Sequence, residues 1–165
     1  MNVGGKNVFR PAQLAVSLAH LDAVNVGAAG TFLVRGKAPA ATIRREILAR
    51  LPFTAEMSVR PVREVLDLVR SNPFAGVKFS KGTRGWVAVL AKPTRTRPVL
   101  PLSVPEGKAW SVRLDRIEGA FALGLWRRSE KGFVFPSKVV EDTLGVRATT
   151  RWWETLERIA KLVEG

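Results

Sequence analysis

Apolar residues along this chain fall into two spacings, three-to-four and continuous, and the two alternate. Leu14, Leu18 and Leu21 follow Pro11 at helical spacing, and proline suits a first helical turn. Residues 24–26 and 31–34 form short apolar runs around Gly27-Ala28-Ala29-Gly30, which predicts a β-hairpin. Residues 40–51 are helical by pattern, with Ile43, Ile47 and Leu51 spaced by four and Pro52 as the stop. A short strand is expected at residues 57–60. After Pro61, a helix carries Val62, Val65, Leu66 and Val69 up to Asn72-Pro73. That Asn-Pro marks the expected boundary between a half of residues 1–73 and a second of residues 74–165.

The first half thus runs helix, strand, strand, helix, strand. One more strand in front would complete the ferredoxin-like order β-α-β-β-α-β. A missing central strand would leave backbone groups unpaired in the core. This predicts that the natural start lies upstream of Met1, or that another chain or segment fills the gap.

In the second half, residues 86–91 are a continuous apolar run of strand length. The connection over residues 93–105 is too broken by proline for a central strand. Residues 109–113 and 120–125 read as strands, residues 132–135 as a further one, and residues 137–144 as a short helix. Gly145 suits a left-handed helix end, and Thr149 or Thr150 can cap the next helix. On a helical wheel Trp152, Trp153, Leu156, Ile159, Ala160 and Val163 share one face, while Glu154, Glu157, Arg158, Lys161 and Glu164 share the other. This is an amphipathic C-terminal helix that closes the fold, with two Trp rings as its largest buried surfaces.

Composition changes this picture in two places. The 165 residues contain no cysteine, which excludes disulfides, thiolate nucleophiles and cysteine-bound zinc. With no membrane-length apolar run and no signal-peptide pattern, the expectation is a soluble, cytoplasmic protein. Lys and Arg number 27 against 14 Asp and Glu, a net charge of +13 that favours polyanions as partners. An Arg-rich and Ala-rich composition also arises in GC-rich genomes without any such partner.

Asn2-Val3-Gly4-Gly5-Lys6-Asn7, Asn72-Pro73-Phe74, and Leu144-Gly145-Val146 with Ala148-Thr149-Thr150-Arg151 resemble a bacterial family of unknown function, numbered 1697 among such domains. The resemblance covers nearly the whole chain. It implies an α+β protein of two related halves and no particular activity. Three positions depart from the family pattern. Met1 stands where a strand and an Arg-Gly usually precede the glycine loop. Ala28-Ala29-Gly30-Thr31 replaces Gln-Ser-Gly-Asn, and Trp152-Trp153-Glu154 replaces Asn-Trp-Asn.

Candidate chemistry is sparse. Gly4, Gly5, Lys6 and Asn7 ahead of a helix can turn backbone N–H groups and one cation towards an anion. They do not form a Walker loop, and a strand-to-helix turn needs the same glycines. Thr149, Thr150 and Arg151 are a second candidate anion site, since a cation in a first helical turn opposes the helix dipole unless it holds an anion there. His20, the single histidine, lies off the apolar stripe of its helix and is expected at the surface. Asp115 with Glu118, and Glu141 with Asp142, lack metal-ligand spacing. No catalytic residue, metal site or cofactor is indicated.

Between Asp67 and Glu106 there is no acidic residue, whereas Lys78, Lys81, Arg84, Lys92, Arg95 and Arg97 all fall there. They flank the strand at residues 86–91, which separates them into two groups by roughly 20 Å and suits an extended polyanion better than a phosphate pocket. Trp86, Trp110 and Trp126 lie on or beside strands, where an indole either packs a core or stacks on a base. The leading expectation is therefore binding of nucleic acid, or another polyanion, through a basic surface. The alternatives are a small-molecule or phosphate-binding enzyme using the loop from Gly4 to Asn7, and a protein-interaction module.

Overall fold

The computed structural model describes residues 2–3, 7–8, 10–129 and 132–165. It is a mixed α+β fold with a C-terminal helix. By its internal contacts the chain divides into two compact units, Met1–Ser71 with Glu157–Gly165, and Asn72–Leu156.

In the first unit, β1 (Asn2–Val3) pairs with β2 (Asn7–Val8), and α1 (Pro11–Ser17) begins on Pro11 as expected. A short 3-10 turn leads to the antiparallel hairpin of β3 (Ala23–Asn25) and β4 (Phe32–Val34). With the helices α2 (Ala40–Leu48) and α3 (Val62–Arg70) the order from α1 onward, apart from the 3-10 turn, is helix, strand, strand, helix, helix. Leu14, Leu18, Leu21 and Ile47 form one core cluster. A second joins Val26 and Leu33 to Ile159 of the C-terminal helix α5 (Trp153–Glu164). The strand expected at residues 57–60 is absent. The Met57 carbonyl instead accepts a hydrogen bond from Arg44 Nη1 at 2.6 Å.

The second unit is built on an antiparallel sheet of β5 (Thr83–Leu90), β6 (Leu102–Val104), β7 (Val112–Glu118), β8 (Phe121–Arg127) and β9 (Ala148–Trp152), in the spatial order β6-β7-β8-β5-β9. The apolar run of β5 makes sense in that place, because a strand with a neighbour on each side and both faces covered needs no polar alternation. Trp86, Ala88, Leu90, Val112, Leu114 and Ala122 form one face. Val139, Val140 and Leu144 of α4 (Pro136–Leu144) pack on it. The proline-rich connection supplies only β6, at a sheet edge, where missing donors are tolerated.

Three expectations are corrected here. Residues 132–135 are not a strand, and Gly132 has φ of +104°, which breaks the extended path. The first strand expected around residues 109–113 starts later, at Val112, so Trp110 lies in the loop before it. Thr149 and Thr150 do not cap a helix. They lie within β9, where Val89 pairs with Thr149 and Ala88 with Thr150, and α5 starts only at Trp153. β-branched and aromatic residues fit a pleated edge beside β5 better than a free helix start. Trp152 therefore belongs to the strand, while Trp153, Leu156, Ile159 and Ala160 are the buried face of α5.

Candidate basic and aromatic sheet end

Antiparallel register decides which cations meet. Thr83 of β5 pairs with Arg127 of β8, Trp126 pairs with Val112 of β7, and Val112 pairs with Val104 of β6. The start of β5, the end of β8, the start of β7 and the end of β6 therefore share one end of the sheet. The Arg128 N–H donates to the Gly82 carbonyl at 2.9 Å, which sets Arg128 beside the Lys81-Gly82 turn. Lys78 and Lys81 arrive in the segment leading into β5. Lys92, Arg95 and Arg97 follow β5 and lie at the opposite end, about 25 Å away at the usual rise of a strand. The two expected groups are thus separate, as the sequence spacing implied.

The end where β5 begins also gathers residues that the sequence did not single out. The Trp110 ring carries two guanidinium groups, with Arg127 at 4.4 Å and Arg113 at 5.3 Å from its centroid. Arg127 also donates to the carbonyls of Trp110 and Lys108, fixing the loop before β7. Arg113 is neutralised by Asp115 at 2.6 Å. Arg84 stacks over Trp152 at 4.1 Å and pairs with Glu154 at 3.3 Å, so it is the least available cation of the expected set. Lys78, Lys81, Lys108 and Arg128 are exposed and make no ion pair among the described residues. The sequence held a signal for this grouping, since both Trp110 and Trp126 are followed within three residues by arginine.

The second unit carries 15 Lys and Arg against seven Asp and Glu, a net +8 of the chain's +13. Its carboxylates are largely engaged in structure. Asp142 pairs with Lys138 at 2.9 Å, Glu118 pairs with Arg116 at 3.5 Å, and Glu141 Oε1 accepts the Ala148 N–H at 3.0 Å. In the first unit, His20 Nε2 lies 3.4 Å from Glu46. Among the described residues, no three His, Asp or Glu side chains gather as a metal-binding group. Among them also, no helix is long and apolar enough to cross a membrane.

The other expected sites resolve differently. Gly4, Gly5 and Lys6 lie outside the described residues, and Asn7 opens β2. In β9 successive side chains alternate between faces, so Thr149 and Arg151 point away from Thr150. The strand does not converge these three on one anion. Burial pushes the Arg151 guanidinium below its usual pKa, and its Nη1 donates to the Thr150 carbonyl at 2.7 Å. Trp86 is fully buried over Gly124 in the sheet face and cannot stack on a base. Trp110, Trp126 and Trp152 are only partly buried. No protein-family model matches the chain, and neither a curated protein nor a solved structure matches it.

Proposed function

We propose that the protein binds nucleic acid through the sheet end where β5 begins. The observation that carries this reading is the clustering of Lys78, Lys81, Lys108 and Arg128, none with an ion pair among the described residues, beside a tryptophan that holds two guanidinium groups. Like charges brought together without carboxylate partners repel one another, and a polyanion relieves that repulsion while releasing its own counterions. The stacked arginines stiffen the loop that presents Lys108, which lowers the ordering cost on binding. The resemblance to the family numbered 1697 belongs to the same proposal, with its Thr-Thr-Arg signature used in β9 as structure. A cytoplasmic setting, where nucleic acid is abundant, fits a chain without cysteine.

The test is a salt series. Labelled DNA and RNA are titrated against wild type, the triple variant Lys81→Ala/Lys108→Ala/Arg128→Ala, and the triple variant Lys92→Ala/Arg95→Ala/Arg97→Ala. Binding should weaken steeply with salt, and the first triple should flatten the log–log slope by roughly 2–3 units. The second triple, at the far end, should change it less. Absence of binding at low salt, or an unchanged slope in the first triple, would sink the proposal.

A further inference from the structure

Beyond charge, the same sheet end exposes aromatic rings in a connected series. Phe133 and Phe135 are 48% and 62% exposed, and they meet edge to face at 4.7 Å and 66°. Val134 between them packs against the sheet core, whereas the two rings are exposed and touch each other. Phe133 rests on Trp126 at 5.0 Å, Trp126 meets Trp152 at 5.6 Å, and Arg84 covers Trp152. The exposed rings are therefore anchored to the sheet by partly buried ones. In sequence they follow Arg127 and Arg128, at the end of β8.

From this arrangement we infer that the nucleic acid bound is single-stranded, with unpaired bases stacking on Phe133 and Phe135 while its phosphates meet Lys81 and Arg128. The inference rests on the nucleic-acid reading above and narrows it. Inside a duplex each base face is already covered by its neighbours, so protruding phenyl rings gain nothing from paired bases. Single strands offer free base faces, and stacking on aromatic side chains holds them with little regard to sequence. The rings share this sheet end with Lys81 and Arg128, which make no ion pair among the described residues, and that complementarity favours a nucleic acid over an apolar peptide. Neither ring provides a hydrogen-bond donor, so base identity is not read here.

The experiment measures fluorescence anisotropy with labelled DNA and RNA strands of about 16 nucleotides, the upper end of common single-strand site sizes, and with the same sequences as duplexes. The proteins are wild type, Phe133→Ala/Phe135→Ala, Phe135→Ala alone, and Phe133→Tyr/Phe135→Tyr. Wild type should prefer the single strand by at least about tenfold, and the double Ala variant should lose about 10–100-fold of that affinity. The salt slope should not change, because no phosphate contact is removed. The Tyr variant, which keeps both rings, should bind as wild type does. The Phe135→Ala variant removes only the more exposed ring and should show an intermediate loss, which keeps the test open even if the double variant folds poorly. Equal affinity for single strand and duplex, or Ala variants that bind as wild type does, would overturn the inference and leave the charge-based reading standing. No binding of either form by wild type at low salt would overturn both.

Discussion

Replacing Gly124 with alanine tests how closely β7, β8 and the Trp86 indole approach one another. A Cβ at Gly124 would lie 1.8 Å from the Arg113 carbonyl oxygen and 2.8 Å from Trp86 Cζ2. Ordinary carbon–oxygen contacts are about 3.3 Å, so the shortfall is about 1.5 Å against the backbone of a paired strand. Backbone cannot rotate away as a side chain can. Either β7 shifts, loosening ladder hydrogen bonds of about 1 kcal/mol each, or the indole leaves its place in the core. A cost of at least about 3 kcal/mol follows, at or beyond the usual upper limit for overpacking. Gly85 in the adjacent strand is the control. There a Cβ would lie 3.1 Å from both Phe74 Cε2 and Trp153 Cβ. The Phe74 ring can yield a few tenths of an ångström, the Trp153 Cβ needs a shift of that size in the backbone at the start of α5, and alanine also restricts the unfolded chain, an offsetting gain of about 0.4–1 kcal/mol. Gly85→Ala should therefore change stability by about 1 kcal/mol or less. Urea unfolding followed by circular dichroism, with midpoints compared at a common slope, measures both. Equal losses, or a Gly124→Ala variant as stable as wild type, would refute the packing argument.

Two further outcomes follow from single side chains. Trp153 is 4% exposed and meets Phe74 edge to face at 5.1 Å, so Trp153→Ala should cost about 3–5 kcal/mol. The half-buried Trp152 should cost less on removal, and equal losses in thermal melts would contradict the assignment of Trp152 to β9. The hydrogen bond from Arg50 holds the Glu46 carboxyl below its usual pKa, outweighing partial desolvation, with smaller help from Arg50's charge and from His20. A depressed carboxylate stabilises above its unfolded pKa and stops doing so as pH falls through the folded one. The melting difference between wild type and Glu46→Gln should accordingly be present above about pH 5 and shrink on acidification; a difference that grew in acid would count against the pairing.

What the sequence displayed and what it concealed divide along the range of the forces involved. The hairpin, the start of α1 at Pro11 and the apolar strand β5 rest on local spacing and turn chemistry, and each was visible in the pattern. The stretch Ala148–Trp152 was not, because threonine serves both as a helix cap and as a good strand residue. Only its register with residues 86–90, more than fifty positions earlier, decides between the two. The same holds for the basic sheet end. Lys78 and Lys81 stood out as part of an acid-free stretch, but Lys108 and Arg128 lie 27 and 47 residues beyond Lys81. They join it through antiparallel ladders that no local pattern encodes. Trp86 reads from sequence as either a core or a stacking residue, because a tryptophan in a strand says nothing of which face is covered.

Local departures from good folding practice are informative when they cluster, since a protein tolerates them where something other than stability is served. Val16 and Val99 are exposed singly on the surface, which is ordinary. The exposed phenylalanines among the described residues are Phe79, Phe133 and Phe135. All three lie beside the start of β5. Phe79 packs on Phe74 at 5.7 Å, and Phe74 in turn lies against the position of Gly85. Phe133 packs on Trp126 on the opposite sheet face, where Trp86 and Trp126 also bury indole N–H groups without a hydrogen-bond partner among the described residues. Between these two aromatic groups run the Lys81-Gly82 turn and Arg128, whose charges have no ion pair among the described residues. Two departures, exposed rings and cations without an ion pair among the described residues, therefore meet at one end of one sheet. At the other end Lys92 and Arg95 likewise make no ion pair among the described residues, yet no exposed aromatic among those residues accompanies them. The contrast within one molecule is why the binding proposal is placed at the start of β5 and not spread over the whole basic surface.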